Sequence, residues 1–598
     1  MNFVINKAEC RPNCFVSAFL DIKTKSRKIY EISNRINQYE EIVKELSKKD
    51  IIIVGYGNSY YENLLYNFLI ENYYVFKSAD HKIINSELFF FYKKMISGGD
   101  IEEIRFKKFY ESIDLKTILF SKENRLSIQE MQASIQFPNI SKLNESRESS
   151  VDLDSIRKDL ALDCVSVAKI FRHSNEYLKI RLWIFKEIGI DCLSLDNVTC
   201  GSLILGKSYC SATNQNYAEF RDRKRFFTPV NIRDIVFPFI KFETREFNAA
   251  LSSLKEFTIN RKGEYPSIPI VFKEKKFTLT GGGIHTSEEP KQYIGKYIQA
   301  DCVSQYPTMI HNHNLLDPTF DKVFLDIYHE AFEQKEIHDK DVFKRTFFKF
   351  ILNSYYGCLL NEHKPFFCPE IAFKTVINCQ LLMLMLVEKL MLNNIEVTSL
   401  NTDSVDVILK DGQYDLYCSI VNDWQEISKF KLSYKYAKRV FRKDCNSYIM
   451  ELEDGTVITK GDYNISDEFG KIHNYYISKV AAVRNILYGD DIEKTIRNHK
   501  NIYDFCLFIT SPEKGDLYVN DIKLQKNCRY FISNKGKCLY KRFDSKKIEL
   551  VNNRFNVSFV NEKDDISFES RDINYSFYIM KANNLKFNSQ KKINLNYD

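Results

Sequence analysis

Apolar and polar positions alternate through Ile395–Leu400 ("IEVTSL"), break at Asn401-Thr402-Asp403, and resume in "VDVIL" (Val405–Leu409). The pattern predicts strand, tight turn, strand, with Asn and Asp tolerating the turn backbone. A second strand, "YIQA", ends at Asp301 inside "DCVSQYP", a turn closed by Pro307. Between them, "FKRTFFKFILNSYYG" (Phe343–Gly357) has helical spacing. Arg345, Lys349, Asn353 and Tyr356 share one face, and Phe343, Phe347, Phe350, Ile351 and Ser354 lie away from it. A carboxylate at a strand end stands off the sheet edge, where it can hold a hard cation; taken singly, Asp403 is equally a turn residue and Asp301 a cap.

Elsewhere "IIIVGYG" (Ile51–Gly57) reads as a buried strand followed by a helix from near Tyr61, an α/β layer. A polar stretch, Asn139 to Leu153, reads as a loop, and "DLALDCVSVAKIFRH" after it as helix. The Gly281–Gly283 triplet marks a linker or turn before the strand "KYIQADCVS". Helix is expected from there to Asn393 and again in "KVAAVRNILYG". No internal repeat is evident.

At 598 residues the chain is too long for one core, so several domains are expected. A net charge of +7 permits a polyanionic partner without proving one. The 15 cysteines include no CxxC pair, which argues for buried thiols in a reducing compartment rather than zinc. "VINCQLLMLMLVEKLML" is interrupted by Asn378, Gln380, Glu388 and Lys389, so it reads as a buried helix and no membrane is expected. The N-terminus has no signal-peptide core, and a soluble, cytoplasmic protein is expected.

Taken together and in this order, "DCVSQYP", "KFILNSYYG" and "NTDS" resemble the A, B and C motifs of family B DNA polymerases (DxxSxYP, KxxxNSxYG, xDTDS). The resemblance implies an α/β multidomain chain, with an RNase-H-like exonuclease fold ahead of a right-hand polymerase. It places an exonuclease-type domain at 1–195, a connecting region at 196–290, palm at 291–325 and 394–470, fingers at 326–393 and thumb at 471–598. It implies that Asp301 and Asp403 hold two Mg²⁺ ions (Mn²⁺ able to substitute), and that paired ions serve in-line displacement at phosphorus. Backbone amides around Ser304 and Gln305 would receive the triphosphate, Lys349 would neutralise it, and Arg345 lies on the same face. Tyr306 would be the steric gate against a 2′-hydroxyl, and Asn353, Tyr356 and Gly357 would border the nascent base pair. Asn401 stands where the family usually has Asp.

Downstream, "DCNSYIMELEDGTVITKGDY" resembles the KxY segment and KG hairpin, with Asn446 where Lys is expected. Tyr448, Lys460 and Gly461 carry over as DNA contacts. "TGGGI" resembles the YxGG element, whose Gly282 and Gly283 would approach template phosphates. In the exonuclease motifs, "GYGNSYYENLL" supplies Asn58 and Glu62, and "DLALDCVSVAKIF" supplies Asp163. The first motif fits as Lys7-Ala8-Glu9, with Lys for the leading Asp; a rival register offers Asp21 but puts Lys23 in place of Glu. A retained fold with weak or absent proofreading is the expectation.

The implied function is primer extension with dNTPs on a DNA template, serving a viral, phage or mobile-element genome. The partners implied are primer-template DNA, dNTPs, and replication accessory proteins or a terminal protein. A short span between motifs B and C argues against built-in strand displacement and protein priming. The alternatives are a catalytically silent scaffold that binds primer-template, and a nuclease whose second half only grips DNA.

Overall fold

The computed structural model describes residues 2–586 except 102–103, 105–106, 122–124, 143–151, 288–289, 339, 546, 552–554 and 563–571. Most of the expected loop at 139–153, and the Lys-rich end beyond 586, lie outside the described residues. The chain forms two compact units: 1–196 with 467–481 and 490–582, and 197–466 with 482–489 and 583–598. Residues 471–598 thus contribute to both.

The first unit contains a five-stranded sheet in the order Arg27–Ile32, Cys14–Asp21, Asn2–Arg11, Ile51–Gly55, Ser112–Asp114. Its first three strands pair antiparallel and its last two join in parallel. The run "IIIVG" is buried as the sequence predicts, with helix Glu62–Glu71 following it. Helix Leu153–His173 packs Ile156, Leu160, Cys164 and Val167 into the core of this layer.

A six-stranded sheet built on the long strand Asn527–Phe543 completes the unit. Arg529, 2% exposed, ties it in by donating to the carbonyls of Val560, Phe137 and Pro138 at 2.8, 2.8 and 3.0 Å. A buried guanidinium satisfied by three carbonyls holds the late chain against the early one.

The second unit is organised by a nine-stranded, wholly antiparallel sheet. At its centre, Lys291–Cys302 lies between Ser404–Leu409 and Leu432–Arg442. Helix Pro369–Leu392 begins with Pro at its first position and is apolar nearly all round, the mark of a buried helix. Its membrane-length apolar window is 83% buried, and Trp424 Nε1 donates to its Leu382 carbonyl at 2.7 Å. The 15 cysteines are all free thiols, mostly buried, as expected.

Candidate active site

Antiparallel pairing decides where the two strand-end aspartates go. Asp301 lies opposite Ser404, and the Cys302 N–H donates to the Asp403 carbonyl at 2.8 Å. Two residues about a hundred positions apart in sequence are thereby cross-strand neighbours. Both line one cavity of about 300 Å³, together with Gln299, Ser399, Asn401, Thr402, Ser404, Asp406, Lys435, Arg442, Cys445 and Tyr448.

The hairpin that carries Asp403 turns at Thr402, whose φ is 54°. Its tip is braced from the next strand: the Thr402 N–H donates to the Ile284 carbonyl at 2.7 Å. Gly283 sits against this tip at φ 140°, and a Cβ there would meet Thr402 Oγ1 at 2.2 Å. The glycine is required by close approach within the protein. Gly282 has room and stays exposed in the turn between the two strands.

Asp403 is exposed, yet loss of hydration at the cavity wall raises its pKa, and the Asp301 carboxylate raises it further; its own backbone N–H and Lys435 pull the other way. Repulsion between neighbouring carboxylates marks a pair that gains by sharing a cation. The donors are hard oxygens, which fits Mg²⁺ held by one or two carboxylates and completed by substrate phosphates. Among the described residues no group of three or more His, Cys, Asp or Glu side chains could hold a metal.

After Asp301 the chain bends at Ser304, φ 49°, into helix Gln305–Asn312, so Ser304, Gln305 and Tyr306 begin the helix directly beside the cavity. The Tyr306 ring stacks on Tyr356 with centroids 4.2 Å apart and planes inclined by 24°. Burial pushes the Tyr306 phenol up to about 12 and raises Tyr356 as well, so both remain neutral. Tyr356 belongs to helix Val342–Cys358; of the predicted face Arg345, Lys349 and Asn353 are exposed and Tyr356 is half-buried, and Gly357 beside it is exposed. None of these residues lines the cavity. Lys349 is two turns before Tyr356, about 10 Å along the axis.

Two of the departures from the resembled motifs are in contact. Asn401 Nδ2 donates to Asn446 Oδ1 at 3.2 Å and to the Cys445 carbonyl at 3.3 Å, so the two asparagines standing where Asp and Lys are usual are bonded together. Tyr448 lines the cavity under the Arg442 guanidinium, 4.6 Å from its ring centroid. Lys460 N–H donates to the Tyr448 carbonyl at 2.9 Å, and Gly461, at φ 59°, packs where a Cβ would lie 2.5 Å from the Asn446 carbonyl.

Sequence reading missed the buried wall of the cavity. Asp406, 2% exposed, pairs with Arg442 and accepts from Tyr297 Oη at 2.9 Å, Ser404 Oγ at 3.2 Å and Gln299 Nε2 at 3.3 Å. Gln299 Oε1 in turn accepts from Lys435 Nζ at 3.0 Å, and Lys435 reaches Asp301 Oδ2 at 2.5 Å. The available signal was a carboxylate between two valines, in "SVDVIL", where a strand buried on both faces demands a partner.

In the first unit Lys7 pairs with Glu62, and Arg11 Nε pairs with Glu9 at 2.8 Å. Asn58 is fully buried. Asp163 accepts from Gln132 Nε2 at 2.8 Å and Ser141 Oγ at 3.1 Å. Asp21 is instead a turn cap, accepting from the backbone of Lys23 and Thr24 at 2.9 and 2.8 Å.

No family model and no curated protein matches the chain. Among solved structures, it is similar to the family B DNA polymerase from the hyperthermophilic archaeon Pyrobaculum calidifontis, at 12% identity over 99% of this chain and 79% of that one, with a TM-score of 0.45.

Proposed function

We infer that the chain is a DNA-templated DNA polymerase of the family B type, extending a primer with dNTPs. The observation that carries this reading is the convergence of Asp301 and Asp403 on one cavity, beside a helix start whose Tyr306 is stacked on Tyr356. Mg²⁺ held there would activate the primer 3′-hydroxyl and stabilise charge on the leaving pyrophosphate. The chain's own groups bind and orient. Backbone N–H groups at the start of Gln305–Asn312 face incoming phosphate oxygens with the favourable end of the helix dipole. Lys349 neutralises the triphosphate from the exposed face of its helix. The Tyr306 ring, held flat by Tyr356, fills the space a ribose 2′-hydroxyl would need. Tyr448, Lys460 and Gly461 lie on adjoining backbone where a primer strand would pass.

A catalytically silent scaffold is the second reading, favoured by one observation: Lys435 already lies on Asp301. Extension of a labelled primer by wild type and Asp403→Ala separates the two. Wild-type extension abolished in the variant supports the polymerase; DNA binding by both with extension by neither establishes the scaffold.

Proofreading is weak or absent in this reading. The carboxylates Glu62 and Glu9 are each neutralised by a basic residue of the strand Asn2–Arg11, which leaves little negative charge to attract a metal pair.

A further inference from the structure

Lys435, Gln299 and Asp406 stand in one row across three adjacent strands. Gln299 is the register partner of Lys435 on one side and of Asp406 on the other. Asp301, two residues along from Gln299, projects from the same face, so the lysine reaches it on the diagonal.

Each link in this row fixes the next. Asp406 is ion-paired with Arg442, both side chains being at most 3% exposed, and is an acceptor only. It therefore takes the Gln299 NH₂ group, at 3.3 and 3.4 Å, and turns the amide carbonyl toward the solvent side. That carbonyl accepts from Lys435 at 3.0 Å and aims the ammonium at Asp301. An isolated ion pair with side chains 41% and 29% exposed would be a loose surface contact. This one is anchored at its base by the buried Asp406, which is held by Arg442, Tyr297 and Ser404.

We propose that Lys435 is a resident cation of the Asp301/Asp403 centre, standing in for one of two divalent ions, so that the chain loads a single ion there. The proposal rests on the reading that these aspartates bind divalent cations. Its physical content is simple. Lys435 occupies Asp301 Oδ2, and its charge repels a divalent ion brought to the same oxygen. The second Asp301 oxygen and Asp403, which has no ion pair among the described residues, remain for one ion.

The test uses Mn²⁺ alone as probe, with the full chain, counting bound ions by electron paramagnetic resonance of free Mn²⁺. Wild type should bind one ion, lost in Asp403→Asn. Lys435→Gln, which keeps a polar partner for Gln299 but removes the charge, should bind Mn²⁺ at least about tenfold more tightly. Lys435→Glu should bind two ions, and Lys435→Arg should behave as wild type, showing that charge and not loss of structure is responsible. Two ions in wild type overturn the proposal, as does a Lys435→Gln variant of unchanged stoichiometry and affinity. If wild type extends primers with Mg²⁺ and the Lys435 variants titrate alike, this proposal alone fails. If no variant binds Mn²⁺ and wild type does not extend primers, the cation reading falls with it.

Discussion

Asn401 and Asn446 are joined by a hydrogen bond of 3.2 Å that ties the hairpin tip to the loop before Tyr448. A carboxylate at 401 would face the Cys445 carbonyl with no proton to offer, so Asn401→Asp alone should lower stability by about 1 kcal/mol. Adding Asn446→Lys supplies the missing donor and should recover most of that loss. A double-mutant cycle from urea unfolding checks it; purely additive effects would mean that the two positions are independent.

Tyr306 is positioned by its ring partner, so removing the ring and removing the stack are different experiments. Tyr306→Ala should raise ribonucleotide incorporation relative to deoxyribonucleotide by about tenfold or more. Tyr306→Phe should leave discrimination intact. Single-nucleotide extension with matched dNTP and rNTP measures the ratio; unchanged discrimination in Tyr306→Ala refutes the gate.

Lys349→Ala should raise the apparent dNTP KM and lower kcat together, reducing kcat/KM by about tenfold or more, because a phosphate contact acts in binding and in the transition state. An effect on KM alone would mean that Lys349 holds the ground state and the transition state equally.

Asp163 is 2% exposed, and burial above all pushes its carboxyl up to about 6, against the pull of Lys7, Gln132 and Ser141. The folded state therefore holds this proton more tightly than the unfolded chain. The resulting stabilisation is complete below the ordinary value of 3.8 and is lost as pH rises through about 6. Asp163→Asn should flatten that dependence and raise stability at pH 7 by up to about 3 kcal/mol. Thermal melts at pH 5 and pH 7 give the slope.

The Lys7–Glu62 pair bears on proofreading. Excision of single-stranded DNA 3′ ends with Mg²⁺ or Mn²⁺ should stay at background in wild type. Vigorous degradation that Asp163→Ala abolishes would show that the paired carboxylates still load metal.

The strand–turn–strand around Asp403, the buried helix Pro369–Leu392 and the exposed positions Arg345, Lys349 and Asn353 were all legible, because period and turn chemistry are local properties. Lys435 was not. Its neighbours Tyr434 and Tyr436 make "SYKYAK" read as an ordinary half-exposed strand, and only the register against Gln299 reveals what the ammonium meets. Gly283 was legible as a turn glycine but not as one crowded by Thr402, a contact between distant segments. The same holds for the asparagine pair, whose members looked like unrelated departures from a motif.

The return of residues 467–481 and 490–582 to the unit that begins at the N-terminus has a practical consequence. No single scissile bond divides this polypeptide into two self-sufficient fragments, since truncation after 466 strips the opening module of its six-stranded sheet and of Arg529. Ribosomal synthesis must therefore leave that module incomplete until residue 582 has been added. A bisected gene would be expected to work only if its two products reassemble.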